Sequence, residues 1–431
     1  MELISKKSWS APILTIIDKV LSEEQKNTVA SLQKRKVYIY KLGVYWRMLP
    51  SFQPSTRLIY DVYIWELIPP SIIAELREHK ADLIIDVSIE PLFVKPDNEQ
   101  PPKQDIIEIY QALRDLNIPP ARIILADSNL SAPAFHDAVV AELGITEPMR
   151  IWSLDFAMVY TALKLESDPV IQERITANVS LEKRIAEQQQ PLKPFLYLIR
   201  RIKFHRMVVI LALLDYFKES QIVFSLLGGF EVSQVNNTDL LAYELNSAVK
   251  FLEAAPNFRA GVNWREIANR LTQQFPIAIP GSDSFADNKS FAFRSIDGKW
   301  YAETFMSIVG ESCFTGGESL FITEKLVKPL YWSHPFVVLG DPGTLERLRV
   351  LGFRTFNKVI DEHYDTVKDP GMRLLALITE LYRLGSLSPA ELSQAQNVLA
   401  EDVQYNFDYL CNRFYSHFAK LFVDSFAEIM K

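Results

Sequence analysis

The chain has 431 residues, 48% of them hydrophobic, and a formal net charge of −7 at pH 7. A chain of this length is longer than a domain with a single hydrophobic core usually is, so we predict two or three domains of roughly 100–200 residues each. The acidic balance and the absence of a dense Lys/Arg stripe argue against a nucleic-acid partner, because phosphate backbones need a concentrated basic face. The two cysteines, Cys313 and Cys411, exclude a disulfide scaffold or a four-cysteine zinc site and are typical of a reducing compartment.

Membrane signals are weak in this sequence. The segment 1–19 has no long apolar core and does not resemble a signal peptide. The longest apolar run, 207–214, is far shorter than the ~20 residues of a transmembrane helix. We therefore expect a cytoplasmic protein without a transmembrane segment, which would contact a membrane only peripherally.

The first half alternates short strands with helices, a rhythm that predicts a parallel sheet with helices on both faces. The strands are continuous apolar runs, which are typical of parallel strands buried on both sides. Strands are predicted at 37–40, 82–86, 122–126 and 150–154, and helices at 69–79 and 105–116.

A polar segment at 166–190 predicts a connector, after which the pattern restarts. The predicted domains are 1–190, an acceptor domain with the connector; 191–385, a nucleotide-sugar domain; and 386–431, a helical tail. The fold class expected is α/β, with two Rossmann-like domains facing across a cleft. Within the second half, strands are predicted at 194–199, 222–227, 305–309 and 335–339, helices at 204–218, 323–333 and 343–351, two helices over 389–431, and a less regular stretch at 231–294.

The most informative segment follows the predicted strand 305–309. Here Glu311-Ser312 and a glycine-containing loop lead to Thr323-Glu324-Lys325, where a helix begins. Thr323 is a plausible N-cap, and the positive end of a helix suits a diphosphate. Lys325 would add a charge, and Glu324 could accept hydrogen bonds from ribose hydroxyls. The alternative is a capped surface helix with solvated charges.

This segment resembles the nucleotide-sugar-binding block of the α-1,3-fucosyltransferases. In that family a Phe-Glu-Asn-Ser stretch precedes Tyr-Val-Thr-Glu-Lys, a helix and a proline-containing strand that ends in glycine. The matching parts here are Glu311-Ser312, the run 321–325 and the strand 335–340. Phe321 stands where the family has tyrosine, and Ser312 stands where it has asparagine.

The resemblance implies a metal-independent glycosyltransferase of the two-domain GT-B class. It implies that Glu324 and Lys325 contact the ribose and diphosphate of a nucleotide-sugar donor. Glu311, Ser312 and Thr323 belong to the same block and are predicted donor-binding residues with them. It also implies that an arginine in the first helix of the second domain binds the diphosphate, and Arg206 is the best match. The expected partners are a nucleotide sugar and a glycan or lipid-linked acceptor.

A basic block lies at the first strand-to-helix junction of the second half. Within the seven positions 200–206 there are five basic residues, Arg200, Arg201, Lys203, His205 and Arg206. Arginines bind phosphate oxygens bidentately, so Arg200, His205 and Arg206 are predicted donor-binding residues. The alternative is a solvated basic turn in which His205 only packs or caps.

Acids follow a buried strand in the first half. Asp86 and Glu90 are the predicted catalytic bases, since an inverting transfer needs a base within about 2.6–3.2 Å of the acceptor hydroxyl. Asn129, just after the next strand, is a predicted acceptor-binding residue beside Asp127 and Ser128. An acid at the end of a strand is also common in α/β proteins without any catalytic role.

No metal or other cofactor is expected. The chain contains no Asp-x-Asp pair of the kind that holds a metal on the diphosphate in GT-A transferases. The acids and histidine between Asp361 and Asp365 are interpreted as parts of a supporting loop.

Three alternatives stay open from the sequence. One is a transferase with a CMP-linked donor, of the Kdo type found in bacterial surface glycans. The second is a nucleotide-sugar epimerase on the same fold, and the third is a binding protein without catalysis.

Overall fold

A computed structural model describes residues 2–3, 12–41, 65, 68–88, 103–177, 192–228, 237–255, 258–279 and 298–431. Contacts within the chain divide it into two units. The first unit comprises Met1–Tyr160, Glu318–Ile322 and Phe414–Lys431, and the second comprises Thr161–Gly317 and Thr323–Arg413. Each unit contains a parallel sheet with helices, which confirms the predicted α/β class.

The described strands and helices follow one another in an order close to the predicted one. The strands are β1 (Glu2–Leu3), β2 (Lys36–Lys41), β3 (Ala81–Asp86), β4 (Ile123–Asp127), β5 (Arg150–Ser153), β6 (Lys193–Ile199), β7 (Val223–Leu226), β8 (Thr304–Gly310) and β9 (Phe336–Leu339). The helices are α1 (Pro12–Val20), α2 (Glu23–Ser31), α3 (Pro70–Arg77), α4 (Lys103–Asp115), α5 (Ala132–Leu143), α6 (Phe156–Glu166), α7 (Pro169–Ala177), α8 (Phe204–Tyr216), α9 (Asn237–Ala254), α10 (Trp264–Gln274), α11 (Lys299–Ala302), α12 (Glu324–Tyr331), α13 (Thr344–Val350), α14 (Pro370–Gly385), α15 (Pro389–Asn412) and α16 (Phe414–Ile429).

The sheet of the first unit has its strands in sequential order, β1-β2-β3-β4-β5, all parallel. One face packs on α3, α4 and α5 through a buried cluster that includes Ile73, Leu83, Leu113 and Leu125. This one-sided placement agrees with right-handed crossovers that all advance in the same direction. Every residue of β3 and β4 is buried, so both faces of these strands are covered, which explains their apolar sequence.

The C-terminal helix α16 packs on β5 in the first unit. Trp152 contacts Phe422 and Phe426 at ring-centroid distances of 5.0 and 5.4 Å, and its Nε1 donates to Ser425 Oγ at 3.0 Å. Arg150 donates to the Ile429 carbonyl at 2.9 Å, where a cation complements the negative end of the helix. The C-terminal segment is therefore held by both apolar and polar contacts.

The sheet of the second unit is also parallel, but its order is β7-β6-β8-β9. The chain leaves the inner strand β6 toward β7 and later returns to the other side of β6 with β8. Right-handed crossovers then put the connecting helices on opposite faces of the sheet. The carboxyl ends of β6 and β8 consequently form a topological switch point, the place where open α/β sheets bind ligands.

Most predicted elements are confirmed, but α1, α2, α5 and α14 lie where no element was predicted, and one stretch contains more helix than expected. The region 231–294, predicted to be irregular, contains the helices α9 and α10. Helix α10 is amphipathic and begins at Asn263, whose side chain accepts from Glu266 N. Its apolar positions Trp264, Ile267, Ala268 and Leu271 recur at helical spacing, so the signal was present in the sequence.

The unit boundaries also differ from the predicted ones. Helix α7 lies within the predicted connector and belongs to the second unit, and residues 178–190 are outside the described ranges. The predicted tail is divided, because α15 belongs to the second unit and α16 to the first. No helix in the described part of the chain is long and apolar enough to cross a bilayer.

Candidate functional site

The predicted donor residues meet at the switch point of the second sheet, starting with Glu311. This residue directly follows β8, and its side chain is only 1% exposed. Its two carboxylate oxygens accept from Thr323 N at 3.1 Å and from Thr323 Oγ1 at 2.5 Å. Burial raises the pKa of Glu311, and Lys325 together with the Thr323 hydrogen bonds opposes that rise. Glu311 therefore joins the end of β8 to the start of α12.

Thr323 is the N-cap of α12, as predicted, because its Oγ1 accepts from Lys325 N at 3.3 Å. The ammonium of Lys325 is held at the same place by Ser312 Oγ at 3.2 Å, Thr323 Oγ1 at 3.1 Å and Glu324 Oε1 at 3.0 Å. The Lys325 side chain keeps 27% exposure. A positive charge is thus fixed at the positive end of a helix and remains accessible to a ligand.

Glu324 is ionised beside Lys325. Burial alone would raise its pKa, but Lys325 and Lys328, with hydrogen bonds, lower the pKa to about 2. Its side chain is 20% exposed. An accessible carboxylate in this position can accept hydrogen bonds from hydroxyl groups of a ligand that also contacts Lys325.

Arg206 is brought to the same strand end but is buried. Its Nη2 donates to the carbonyls of Gly310 and Glu311 at 2.8 and 2.7 Å, and its Nη1 donates to the Arg201 carbonyl at 3.0 Å. Its Nε has no hydrogen-bond partner among the described residues. A Cβ at Gly310 would lie 3.0 Å from this Nε, so a larger residue there would displace the guanidinium by a few tenths of an ångström. The guanidinium thus fixes the backbone at the end of β8, and its diphosphate contact stays a prediction.

His205 is also buried at the switch point. Its ring stacks on Phe314 with a centroid distance of 5.2 Å, and its Nε2 donates to the Glu311 carbonyl at 3.3 Å. Burial, with Arg206 and Lys203, holds the pKa of His205 well below its usual value, so the ring is neutral. Arg200 is half-buried in the loop between β6 and α8.

Sequence reasoning missed two buried residues that hold the neighbouring loops. Arg373, in α14, donates to the carbonyls of Thr315, Gly340, Val367 and Lys368, and its guanidinium lies 4.2 Å from the Phe314 ring centroid. Asp341 accepts from the backbone N and the Oγ1 of Thr315. The available signal was an arginine among the apolar positions of a helix that begins at Asp369-Pro370.

In the first unit, Asp86 is surrounded by hydrogen-bond donors of the chain itself. It is 2% exposed, and its carboxylate accepts from Ile13 N at 3.3 Å, Ser88 N at 3.1 Å and Ser88 Oγ at 2.6 Å. Through Ile13 it stabilises the first turn of α1. All three hydrogen bonds come from residues of the same unit, and together they use both carboxylate oxygens. Glu90, the other predicted base, lies outside the described residues.

Asn129 is fully buried and bonded to the chain. Its Nδ2 donates to the Glu318 carbonyl at 3.0 Å, and its Oδ1 accepts from Ser131 N at 3.0 Å. The carbonyl of Asn129 accepts from Ser153 Oγ at 2.6 Å. Asn129 thus holds the segment Glu318–Ile322 within the first unit, and its acceptor-binding role stays a prediction.

The acids between Asp361 and Asp365 serve backbone groups. Glu362 accepts from Phe356 N at 2.6 Å, and Asp365 Oδ2 accepts from Leu345 N at 3.0 Å in the first turn of α13. Within the described ranges, no group of three His, Cys, Asp or Glu side chains could hold a metal ion.

Taken together, the described contacts place an accessible cation, Lys325, and an accessible carboxylate, Glu324, on a buried frame at the switch point. Such an arrangement suits a ligand with an anionic group next to hydroxyls. Comparisons with protein-family models, with characterised proteins and with solved structures find no match to this chain. The residues themselves therefore carry the functional interpretation.

Proposed function

We propose that the chain is a glycosyltransferase of the GT-B class that binds a nucleotide-sugar donor where α12 begins. The observation that carries the proposal is the position of the Lys325 ammonium, held by Ser312, Thr323 and Glu324 at the switch point of the second sheet. A diphosphate next to a ribose supplies the anion and the hydroxyls that Lys325 and Glu324 can bind.

In this mechanism the leaving diphosphate is stabilised by fixed charges. Lys325 and the positive end of the α12 dipole face the oxygens on which negative charge develops as the sugar departs. Glu311 and Arg206, which are both buried, hold these groups in place, so little reorganisation accompanies the transfer.

The acceptor hydroxyl must lose its proton to a base as the sugar arrives. Asp86 and Glu90 are the predicted bases. Because the carboxylate of Asp86 already accepts three hydrogen bonds from its own unit, we assign this role to Glu90 first.

The test is nucleotide binding and turnover with a panel of GDP-, UDP- and CMP-linked sugars. A charge-assisted hydrogen bond contributes about 1.5–3 kcal/mol, so Lys325→Ala should weaken donor binding about 10- to 100-fold in calorimetry. Lys250→Ala removes the same charge from an exposed site on α9 of the same unit and should leave the affinity unchanged.

The same panel separates the alternatives. Transfer to an added acceptor, or slow hydrolysis of one donor class, supports a transferase and identifies its nucleotide. Conversion of the donor without any acceptor would indicate an epimerase. No binding of any nucleotide sugar would leave only a non-catalytic role and would overturn the proposal.

A further inference from the structure

Glu311 lies in the proposed donor site but is too buried to touch the donor. Both of its carboxylate oxygens contact Thr323, and the side chain is 1% exposed. Its own carbonyl accepts from Arg206 Nη2 at 2.7 Å and from His205 Nε2 at 3.3 Å. Glu311 therefore acts on the ligand through Thr323, whose Oγ1 also accepts from the Lys325 ammonium.

We propose that Glu311 is a positioning residue that takes up a proton when a diphosphate ligand binds at Lys325. Donor affinity then increases as the pH falls. This inference rests on the proposed nucleotide-sugar site and adds proton linkage to it.

Glu311 can keep its contact with Thr323 in both protonation states. When Glu311 is ionised, the Thr323 hydroxyl donates to its Oε2 across 2.5 Å. When Glu311 is protonated, the acid donates to Thr323 Oγ1, the Thr323 hydroxyl turns its own proton away, and Oγ1 then accepts from only one of Lys325 N and Lys325 Nζ. The bond from Thr323 N to the other carboxyl oxygen holds the start of α12 in either state.

The charges around Glu311 determine the direction of the effect. An arriving diphosphate places negative charge on Lys325, which then stabilises the Glu311 carboxylate less, and the diphosphate also repels it directly. Binding therefore favours the neutral acid. The charged groups that act on Glu311 are Lys325 and Glu324 of α12 and Arg206 of α8. The groups around these are His205 of α8, whose Nε2 contacts the Glu311 carbonyl, Lys203 just before α8, Lys328 of α12 and Arg373 of α14, and the last three act on His205 or Glu324.

Two neighbours do not exchange protons in the neutral range. Glu324 has a pKa of about 2 and stays ionised, and His205 has a pKa well below its usual value and stays neutral. Burial raises the pKa of Glu311, and it is the largest of the effects on that pKa. Glu311 is thus the acid in this cluster that can respond to a ligand.

The experiment is calorimetric binding of the nucleotide sugar selected by the panel, at pH 5.5 and 8.5. A nucleotide sugar is the probe because its esterified phosphate groups do not titrate in this range. We expect wild-type affinity to increase toward acid, by about tenfold for each pKa unit by which binding raises the pKa of Glu311. At intermediate pH, two buffers of different ionisation enthalpy should report proton uptake.

Glu311→Gln mimics the neutral acid, since its amide can accept from Thr323 N and donate to Thr323 Oγ1. It should bind with the wild-type acid affinity at both pH values and without proton uptake. Asp365→Asn is the matched control, because it removes another buried acid of the same unit, one with a pKa of about 6. It should keep the wild-type pH slope.

The outcomes separate the two proposals. Wild-type binding without proton uptake, or an unchanged pH slope in Glu311→Gln, overturns the linkage and leaves the nucleotide site standing. Absence of binding by the wild-type protein at both pH values overturns both. Proton uptake by the wild-type protein needs no variant, so a misfolded Glu311→Gln does not prevent the test.

Discussion

The two parallel sheets differ in strand order. The first runs β1-β2-β3-β4-β5 in sequence, whereas the second runs β7-β6-β8-β9 and reverses direction at β6. At a reversal the connecting chains leave toward opposite faces, and a crevice remains at the carboxyl ends. Among the described strands of the first sheet there is no such reversal.

Polar side chains at the strand ends accordingly have different surroundings. In the first unit, Asp86 accepts from Ile13 of α1, and Asn129 donates to Glu318, so both are occupied by the chain itself. In the second unit, Glu311 and Arg206 are also buried, but they support Lys325, which is partly exposed. Similar sequence patterns thus have different outcomes. In the first sheet the polar residues at the strand ends are bonded to the chain, whereas in the second they hold a charged side chain that stays accessible.

The largest expected effect is that of Arg206→Met. This change removes three buried hydrogen bonds, to the carbonyls of Gly310, Glu311 and Arg201, and leaves the Glu311 carbonyl with His205 Nε2 alone, which should destabilise the second unit by about 3–5 kcal/mol. Denaturant unfolding measures the loss. Arg270→Met, at a half-exposed arginine of the same unit, should cost under about 1 kcal/mol. Equal losses in the two variants would show that Arg206 does not fix the strand end.

The pH dependence of stability provides a second, smaller effect in the second unit. Burial raises the pKa of Asp365 to about 6, so the folded protein binds this proton more tightly than the unfolded chain does. Stability from this group is therefore present at low pH and is lost as the pH rises through about 6, by about 3 kcal/mol.

Asp365→Asn should remove that dependence, because asparagine stays neutral and can still accept from Leu345 N. We expect the variant to be more stable than the wild type at pH 7.5 and about equal to it at pH 4.5. Unfolding midpoints at both pH values check this. A wild-type advantage that grows with pH would contradict the assignment.

The smallest expected effect is that of Asp86→Asn in the first unit. The amide weakens the charge-assisted bonds to Ile13 and Ser88, at a cost of about 1 kcal/mol. Donor affinity and transfer rate should stay near the wild-type values once the folded fraction is considered. A transfer rate lowered more than about 100-fold in a folded variant would instead make Asp86 the base.

Local pattern was sufficient for much of the fold. Continuous apolar runs identify β3 and β8, and Thr323 before a helical pattern identifies the start of α12. Helices α9 and α10 were not predicted, although the apolar positions of α10 recur at helical spacing. Strand order was not predictable, because it depends on pairings such as that of Tyr197 with Ile308 between distant segments.

Only those parts of the site that depend on residues close together in the sequence could be predicted. Lys325 and Glu324 follow from one short segment. By contrast, the partners of Asp86 and Arg373 lie 73 and 58 positions away, at Ile13 and Thr315. The sequence does not show whether a carboxylate or guanidinium binds a ligand or a backbone group. Only the tertiary contacts distinguish these two cases.

The most direct test of the central claim is a crystal structure with the nucleotide sugar that gives the largest thermal shift. We expect its diphosphate within hydrogen-bond distance of Lys325 Nζ and its ribose hydroxyls on Glu324, beyond the carboxyl ends of β6 and β8. A nucleotide bound at the strand ends of the first sheet, or one that leaves Lys325 without a phosphate contact, would contradict the account.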